Sequence, residues 1–332
     1  MNQGFQILTS TAPISVAIIN LPNALVSSIL GIQDVFHIAN TFCIADKSRL
    51  FSVQIVQEKE SIVNFQSNVP LKTTSLDLKQ NFDVIIIPPI ISDVRDIKVS
   101  KTLNTWLNLM YAKGSYICSV CVGTYVLASV GLLDNIKATT HWSIEQNILD
   151  TFPLVLLDID RIVIEDKNII TAGGISAYLD LSLYLIRKYF SILVAYECAN
   201  FLVVDAGRTS QKHYKNLASL STELEPELKE LLAWIKININ QVLTLAILAK
   251  QMHVSERTLM RIFKKKIGIL PTKYLQNIRV QMAKELLINS QKSIEQITFN
   301  IGYEDIPSFR RLFKKKTGLS PGEYRNIFMV KF

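Results

Sequence analysis

Over roughly its first two hundred residues the chain alternates two hydrophobic patterns. Short runs in which nearly every side chain is apolar and β-branched, Ile14 to Ile19, Phe51 to Val56 and Val84 to Ile87, read as strands buried on both faces. Segments with apolar positions three and four apart, Val26 to Ala39 and Val99 to Ala112, read as helices between them. Tyr116 to Ser119 is a further strand, followed by a helix over Val122 to Val130. Ile162 to Ile164 and Ile169 to Thr171 then lead into Ala172-Gly-Gly174, a helix over Ile175 to Tyr189 and a last helix over Ser191 to Val204. Strands and helices in alternation predict an α/β domain, with a parallel sheet covered on both faces.

Beyond residue 225 the pattern is helical throughout, and part of it is written twice. Arg261-Ile-Phe263-Lys-Lys-Lys266-Ile-Gly268-Ile-Leu-Pro271-Thr-Lys-Tyr274 returns as Arg311-Leu-Phe313-Lys-Lys-Lys316-Thr-Gly318-Leu-Ser-Pro321-Gly-Glu-Tyr324. A repeat of this kind marks a duplicated structural unit. Upstream of the first copy, Leu245, Leu248 and Ala249 precede a turn at Met252-His253-Val254, and Ser255 is placed to cap a second helix whose buried stripe is Leu259, Ile262 and Phe263. Upstream of the second, Ile294, Ile297 and Thr298 precede Ile301-Gly302-Tyr303, with Asp305 as the cap and Phe309, Leu312 and Phe313 as the stripe. Each copy is helix, short turn, helix. His253 stands where the other copy has the turn glycine, and it reads as a solvent-facing turn residue. Thr272 to Ile288, apolar at helical spacing, is the helix between the copies.

The second helix of each copy keeps a polar face: Arg257, Thr258, Met260, Arg261 and Lys264 in one, Pro307, Ser308, Arg310, Arg311 and Lys314 in the other. Such a helix fits a DNA major groove, where arginine can donate two hydrogen bonds to guanine and lysines near the helix end meet phosphates. The competing reading is a solvated charged face, which the duplication and the helix-turn-helix context outweigh. Charge agrees. Residues 226–332 hold 19 Lys and Arg against 8 Asp and Glu, a net +11, whereas residues 1–225 hold 17 against 20, a net −3. The basic part is the one suited to a polyanion.

On these helices, residues 226–332 resemble the DNA-binding domain of the AraC family, two helix-turn-helix units joined by a long helix, most specifically at Gly302-Tyr303 through Ser308-Phe309, Phe313, Gly318 and Pro321. The resemblance implies double-stranded operator DNA as partner, with RNA polymerase as a further candidate, and a homodimer.

Four cysteines, Cys43, Cys118, Cys121 and Cys198, show no metal-site clustering, and a low count in 332 residues suits a reducing cytosol; no metal or cofactor is expected. No charge precedes Asp34, which excludes the basic start of a signal peptide, and the uncharged stretch Ser115 to Leu133 is diluted by Gly123 and Gly131, so a cytoplasmic protein without a membrane span is expected. Ala206 to Glu225 is polar and reads as a linker, giving domains at 1–205 and 226–332, with Pro226 in the first turn of the next helix.

One junction carries candidate chemistry. In Ile117-Cys-Ser-Val-Cys121-Val-Gly123-Thr a strand turns directly into a helix, which would thrust Cys121 into the crevice at the carboxyl end of the sheet, where a helix N-terminus lowers a thiol pKa. Cys121 then reads as a nucleophile, a pocket-lining thiol, or a small buried residue. This segment, with Gly131-Leu-Leu-Asp134 and Ala138-Thr-Thr-His141-Trp142, resembles the glutamine amidotransferase-like (PfpI-like) superfamily of flavodoxin-like α/β domains. Fused to an AraC-type tail, it resembles the GlxA family of regulators. Departures from the enzymatic pattern weigh against catalysis. Val122 stands where protease-like relatives have histidine, Ser28 aligns where they have an acidic partner, and Pro88-Pro89-Ile90 replaces glycines whose N–H groups serve an oxyanion. Only His141, equally readable as structural, remains as a base. The expectation is a transcription regulator whose N-terminal domain dimerises and senses an unknown small molecule near Cys121 and His141. The alternative is a Cys-dependent hydrolase or amidase with an accessory DNA-binding tail; oxidation at Cys121 would need an accessible, low-pKa thiol.

Overall fold

The structure is a computed structural model that describes residues 12–43, 50–58, 62–64, 70–205, 207–214, 225–267 and 269–329. The chain divides into two units, Met1–Gln211 and Lys212–Phe332.

The first unit is built on β1 (Ile14–Ile19), α1 (Val26–Cys43), β2 (Phe51–Gln57), β3 (Ile62–Asn64), β4 (Pro70–Lys72), β5 (Thr74–Ser75) and β6 (Val84–Ile87). There follow α2 (Lys101–Ala112), β7 (Tyr116–Val120), α3 (Gly123–Ser129), β8 (Lys137–Ala138), α4 (Glu145–Thr151), β9 (Leu156–Leu157), β10 (Val163–Asp166), β11 (Ile169–Ala172), α5 (Ala177–Tyr189) and α6 (Ile192–Leu202). Seven strands form one sheet in the order β10-β11-β7-β6-β1-β2-β5. Its interior pairs are parallel, Val16 opposite Val84 and Val84 opposite Tyr116. The unbroken apolar runs have the predicted consequence: all four residues of β6 and five of six in β1 are buried. Trp106 of α2 and Phe36 of α1 are among the largest fully buried side chains.

Two details depart from the sequence reading. β10 runs antiparallel to β11, because Lys167 and Asn168 alone connect them and a parallel crossover needs about a dozen residues. Residues 207–211, part of the stretch that the sequence reading takes as a linker, also belong to this unit. Ser210 bridges Arg161, Ile162 N–H donates to the Thr209 carbonyl, and Arg208 Nε donates to Asp180 Oδ1 at 3.1 Å. Most of the remaining linker, 215–224, and Gly268 of the repeat lie outside the described residues.

The second unit is helical: α7 (Pro226–Ile237), α8 (Leu245–Gln251), α9 (Glu256–Lys266), α10 (Pro271–Asn289), α11 (Ile294–Asn300), α12 (Ile306–Thr317) and α13 (Pro321–Phe328). Two apolar cores lie along it. One gathers Leu228, Leu231, Ile235, Leu248, Leu259, Phe263, Tyr274 and Ile278; the other gathers Val280, Ala283, Leu287, Ile297, Phe309, Phe313 and Tyr324. α10 contributes to both, and Met282 packs against each. The duplication survives as packing: Phe263 meets Tyr274 edge-on at 5.6 Å, and Phe313 meets Tyr324 in the same way at 5.5 Å.

Candidate functional sites: an elbow after a central strand and two helices with basic faces

The strand-to-helix elbow forms as the sequence suggests. β7 ends at Val120, α3 starts at Gly123, and Cys121 between them has φ +57°, a left-handed conformation rare for a non-glycine residue. The strain is held from both sides, since Cys121 N–H donates to the Ala172 carbonyl at 2.7 Å and Thr140 Oγ1 donates to the Cys121 carbonyl at 2.7 Å. Gly123 allows the close approach: a Cβ there would lie 2.7 Å from the Pro88 carbonyl oxygen.

The thiol itself is poorly suited to attack. Cys121 is 2% exposed, and burial pushes its pKa up to about 12, against the smaller downward pull of the Val122 N–H. Desolvation thus outweighs the lowering expected at a helix start. His141 caps the short turn Trp142–Ile144: its Nδ1 accepts from Ser143 N–H at 3.2 Å and pairs with Ser143 Oγ at 2.6 Å. Its ring lies 4.9 Å from that of Trp142, and burial lowers its pKa. Among the described residues no hydrogen bond joins Cys121 Sγ to His141. Ser28 is buried and spends its hydroxyl on the Leu25 carbonyl at 2.6 Å. The proline loop is structural, the Pro89 carbonyl accepting from Leu25 N–H at 2.8 Å and so bracing the start of α1. No group of three or more potential metal ligands occurs among the described residues.

Sequence reasoning missed Gln211. It is 2% exposed, and its Nε2 donates to the Thr140 carbonyl at 2.7 Å, with Thr139 Oγ1 and the Arg161 carbonyl each at 3.3 Å. Its backbone N–H donates to the Asp160 carbonyl, and a Cβ on Gly173 would lie 2.1 Å from its Nε2. Thr140 therefore joins the elbow carbonyl to the residue that ends this unit. A glutamine within a polar stretch gives no signal in sequence, whereas Thr139 and Thr140 beside His141 stood in view.

In the helical unit, Leu259 and Phe263 of α9 and Phe309 and Phe313 of α12 point into the cores. This leaves Arg257, Met260, Arg261 and Lys264 exposed on one helix and Pro307, Arg310, Arg311 and Lys314 on the other, with Thr258 and Ser308 half-buried. Ser255 Oγ accepts from Thr258 N–H at 3.2 Å and Asp305 Oδ2 from Ser308 N–H at 2.9 Å, the two caps that start these helices. The Ser308 hydroxyl and N–H hold the Asp305 carboxyl below its ordinary pKa, and Arg311 Nη2 reaches Ser308 Oγ at 3.0 Å.

The model of the DJ-1/PfpI family matches residues 47–188, and that of a helix-turn-helix domain matches residues 248–327. The chain is a DJ-1/PfpI domain joined to an AraC-type helix-turn-helix domain. It is 29% identical over 238 residues to the HTH-type transcriptional regulator ArgR of Pseudomonas aeruginosa, covering 71% of this chain and 72% of that protein. To the HTH-type transcriptional regulator GbdR of Pseudomonas aeruginosa it is 27% identical, over 67% of this chain and 60% of that one. An AraC family transcriptional regulator from Pseudomonas putida superposes with TM-score 0.50 at 18% identity, and Drosophila melanogaster DJ-1beta with TM-score 0.50 at 20%. These cover 57% and 58% of this chain and nearly the whole of theirs, and show its flavodoxin-like fold. No described helix is long and apolar enough to cross a membrane.

Proposed function

We propose that this DNA-binding transcriptional regulator reads a bipartite operator with both recognition helices of a single C-terminal unit, while its DJ-1/PfpI domain senses rather than catalyses. The observation that carries the reading is the repeated division of α9 and α12, each of which buries an apolar stripe and turns arginines and lysines outward. In the first helix Arg257, Met260 and Arg261 would meet base edges, with Thr258 beside them, and Lys264 would meet phosphate. In the second, Ser308, Arg310 and Arg311 would read, and Lys314 would anchor. Pro307 exposes only carbon there and has no N–H to give.

For the DJ-1/PfpI domain, sensing without turnover is supported by three features: a buried thiol with a raised pKa, a histidine occupied as a cap, and prolines in place of oxyanion donors. A small-molecule site near Cys121 and His141 would lie at the carboxyl end of the sheet, where such folds take their ligands. Homodimerisation is supported by α6, whose only charge is Glu197 and whose Ile192, Leu193, Tyr196 and Phe201 are exposed. Tyr196→Glu should then yield a monomer by sedimentation.

The DNA test starts with duplexes selected by the full chain from a random pool. Their two recognised segments should lie about 10 bp apart. Inserting about 5 bp between them, half a turn, should abolish most of the affinity at fixed salt, whereas unchanged binding would mean that one helix alone reads sequence.

A further inference from the structure

The two helix-turn-helix copies differ at the middle position of the turn, His253 in one and Gly302 in the other, and the first copy serves as a control for the second. His253 and Gly302 both have positive φ, +53° and +78°. Each turn also makes the same pair of backbone bonds: His253 N–H to the Lys250 carbonyl and Val254 N–H to Ala249, then Gly302 N–H to Phe299 and Tyr303 N–H to Thr298. A histidine therefore suffices for this turn, and conformation alone does not demand glycine at 302. What demands it is a neighbour. A Cβ on Gly302 would lie 2.4 Å from the Ile239 carbonyl oxygen and 2.9 Å from Arg279 Nη2.

Ile239 belongs to the segment between α7 and α8, so the turn of the second copy docks against the approach to the first. Arg279, from the middle of α10, closes the contact. Its Nη2 donates to the Gln241 carbonyl at 3.1 Å, and its guanidinium carbon lies 5.0 Å from the centre of the Tyr303 ring. The apolar cores of the two copies are otherwise distinct and share α10 as their spine. A single helix joining two cores leaves one attachment, while a second contact off its axis removes the freedom to swing.

We infer that Gly302, Arg279 and Tyr303 form a latch that fixes the angular phase between the two recognition helices, and so select operator spacing although none of the three lies on either recognition helix. The inference rests on the bipartite reading above. A stiff pair of readers tolerates one spacing, because each added base pair turns the second segment by about 36° and moves it about 3.4 Å. A loosened pair binds the right spacing slightly less well and wrong spacings relatively better.

The test uses the full chain on the selected operator, on the same duplex with 2 bp inserted between the segments, and on a duplex keeping only the first segment. For the wild type the insertion should cost roughly 10-fold or more in affinity. Arg279→Met, which leaves the backbone untouched, and Gly302→His, which copies the residue of the first turn, should shrink that penalty to roughly threefold, with affinity for the single segment within about twofold of wild type. His253→Gly should keep the full penalty. An unchanged penalty in Arg279→Met overturns the latch, as does equal weakening on all three duplexes with a shallower salt dependence, the sign of a plain phosphate contact. A wild-type chain indifferent to the insertion overturns the bipartite reading and the latch with it.

Discussion

The elbow and the exposed faces of α9 and α12 treat reactive side chains in opposite ways. At Cys121 the fold keeps the geometry of a reactive site, a left-handed residue between strand and helix, and buries the thiol so that its proton is held to about 12. On α9 and α12 the geometry is ordinary helix, and the chemistry stands outside it in Arg257, Arg261, Arg310 and Arg311, all exposed. Strained backbone thus persists where its surroundings over-determine it, whether or not chemistry remains, and so does not by itself argue for catalysis. A charged face gains weight when something independent, here a duplicated helix-turn-helix unit with matched Phe–Tyr packing, places an arginine and a lysine at the same positions in both copies, Arg261 with Arg311 and Lys264 with Lys314.

If the comparison holds, the largest effect should come from stripping the exposed face. Arg261→Ala and Arg311→Ala should each cost about 1–3 kcal/mol of operator affinity, roughly 10- to 100-fold, and flatten the preference at one base position, read by titration against single-base variants. Equal losses on every sequence would reduce these arginines to phosphate contacts.

A comparable loss, though in stability and not in DNA binding, is expected at the buried end of the first unit. Gln211→Ala removes the donor to the Thr140 carbonyl and leaves buried carbonyls facing a cavity, at about 1–3 kcal/mol. Differential scanning calorimetry should show the DJ-1/PfpI transition lowered. An unmoved transition would mean that the polar stretch from 206 carries no weight in this unit.

Legibility divides along the same line. β1 and β6 are legible to the residue because unbroken β-branched runs have one good home, the middle of a covered parallel sheet. The caps Ser255 and Asp305 were legible because their side chains bond within three residues. Gln211 was not, because its partners Thr140 and Arg161 are 71 and 50 residues away and no local pattern encodes them. The two-residue strands β5, β8 and β9 are too short to carry a period. The depth of Cys121 is a tertiary property too, since the same local sequence serves an exposed or a buried elbow. Gly302 was legible as a turn residue, but its contact with Ile239 is 63 positions distant.

A smaller effect separates anchoring from reading. Lys264→Ala and Lys314→Ala should each reduce the slope of log affinity against log salt by about 1 while leaving base preference intact. A changed base preference with an unchanged slope would move these lysines to the reading face.

The smallest effect should be at the elbow, where chemistry is expected to be silent. The Cys121 pKa is raised from 9.0 to about 12 by burial, so its thiolate is scarce throughout pH 7–9 and becomes abundant only as pH nears 12. Alkylation of the native chain at Cys121 should therefore be far slower than in denaturant, and should stay slow across that range. The stability the protonated thiol contributes is complete below pH 9 and lost as pH climbs toward 12, because the unfolded thiol gives up its proton first. Cys121→Ala should leave operator affinity within about twofold of wild type and remove no turnover from amide, ester or peptide panels. Rapid native alkylation, or hydrolysis that vanishes in Cys121→Ala, would place an active nucleophile at the elbow and end the contrast with the recognition helices.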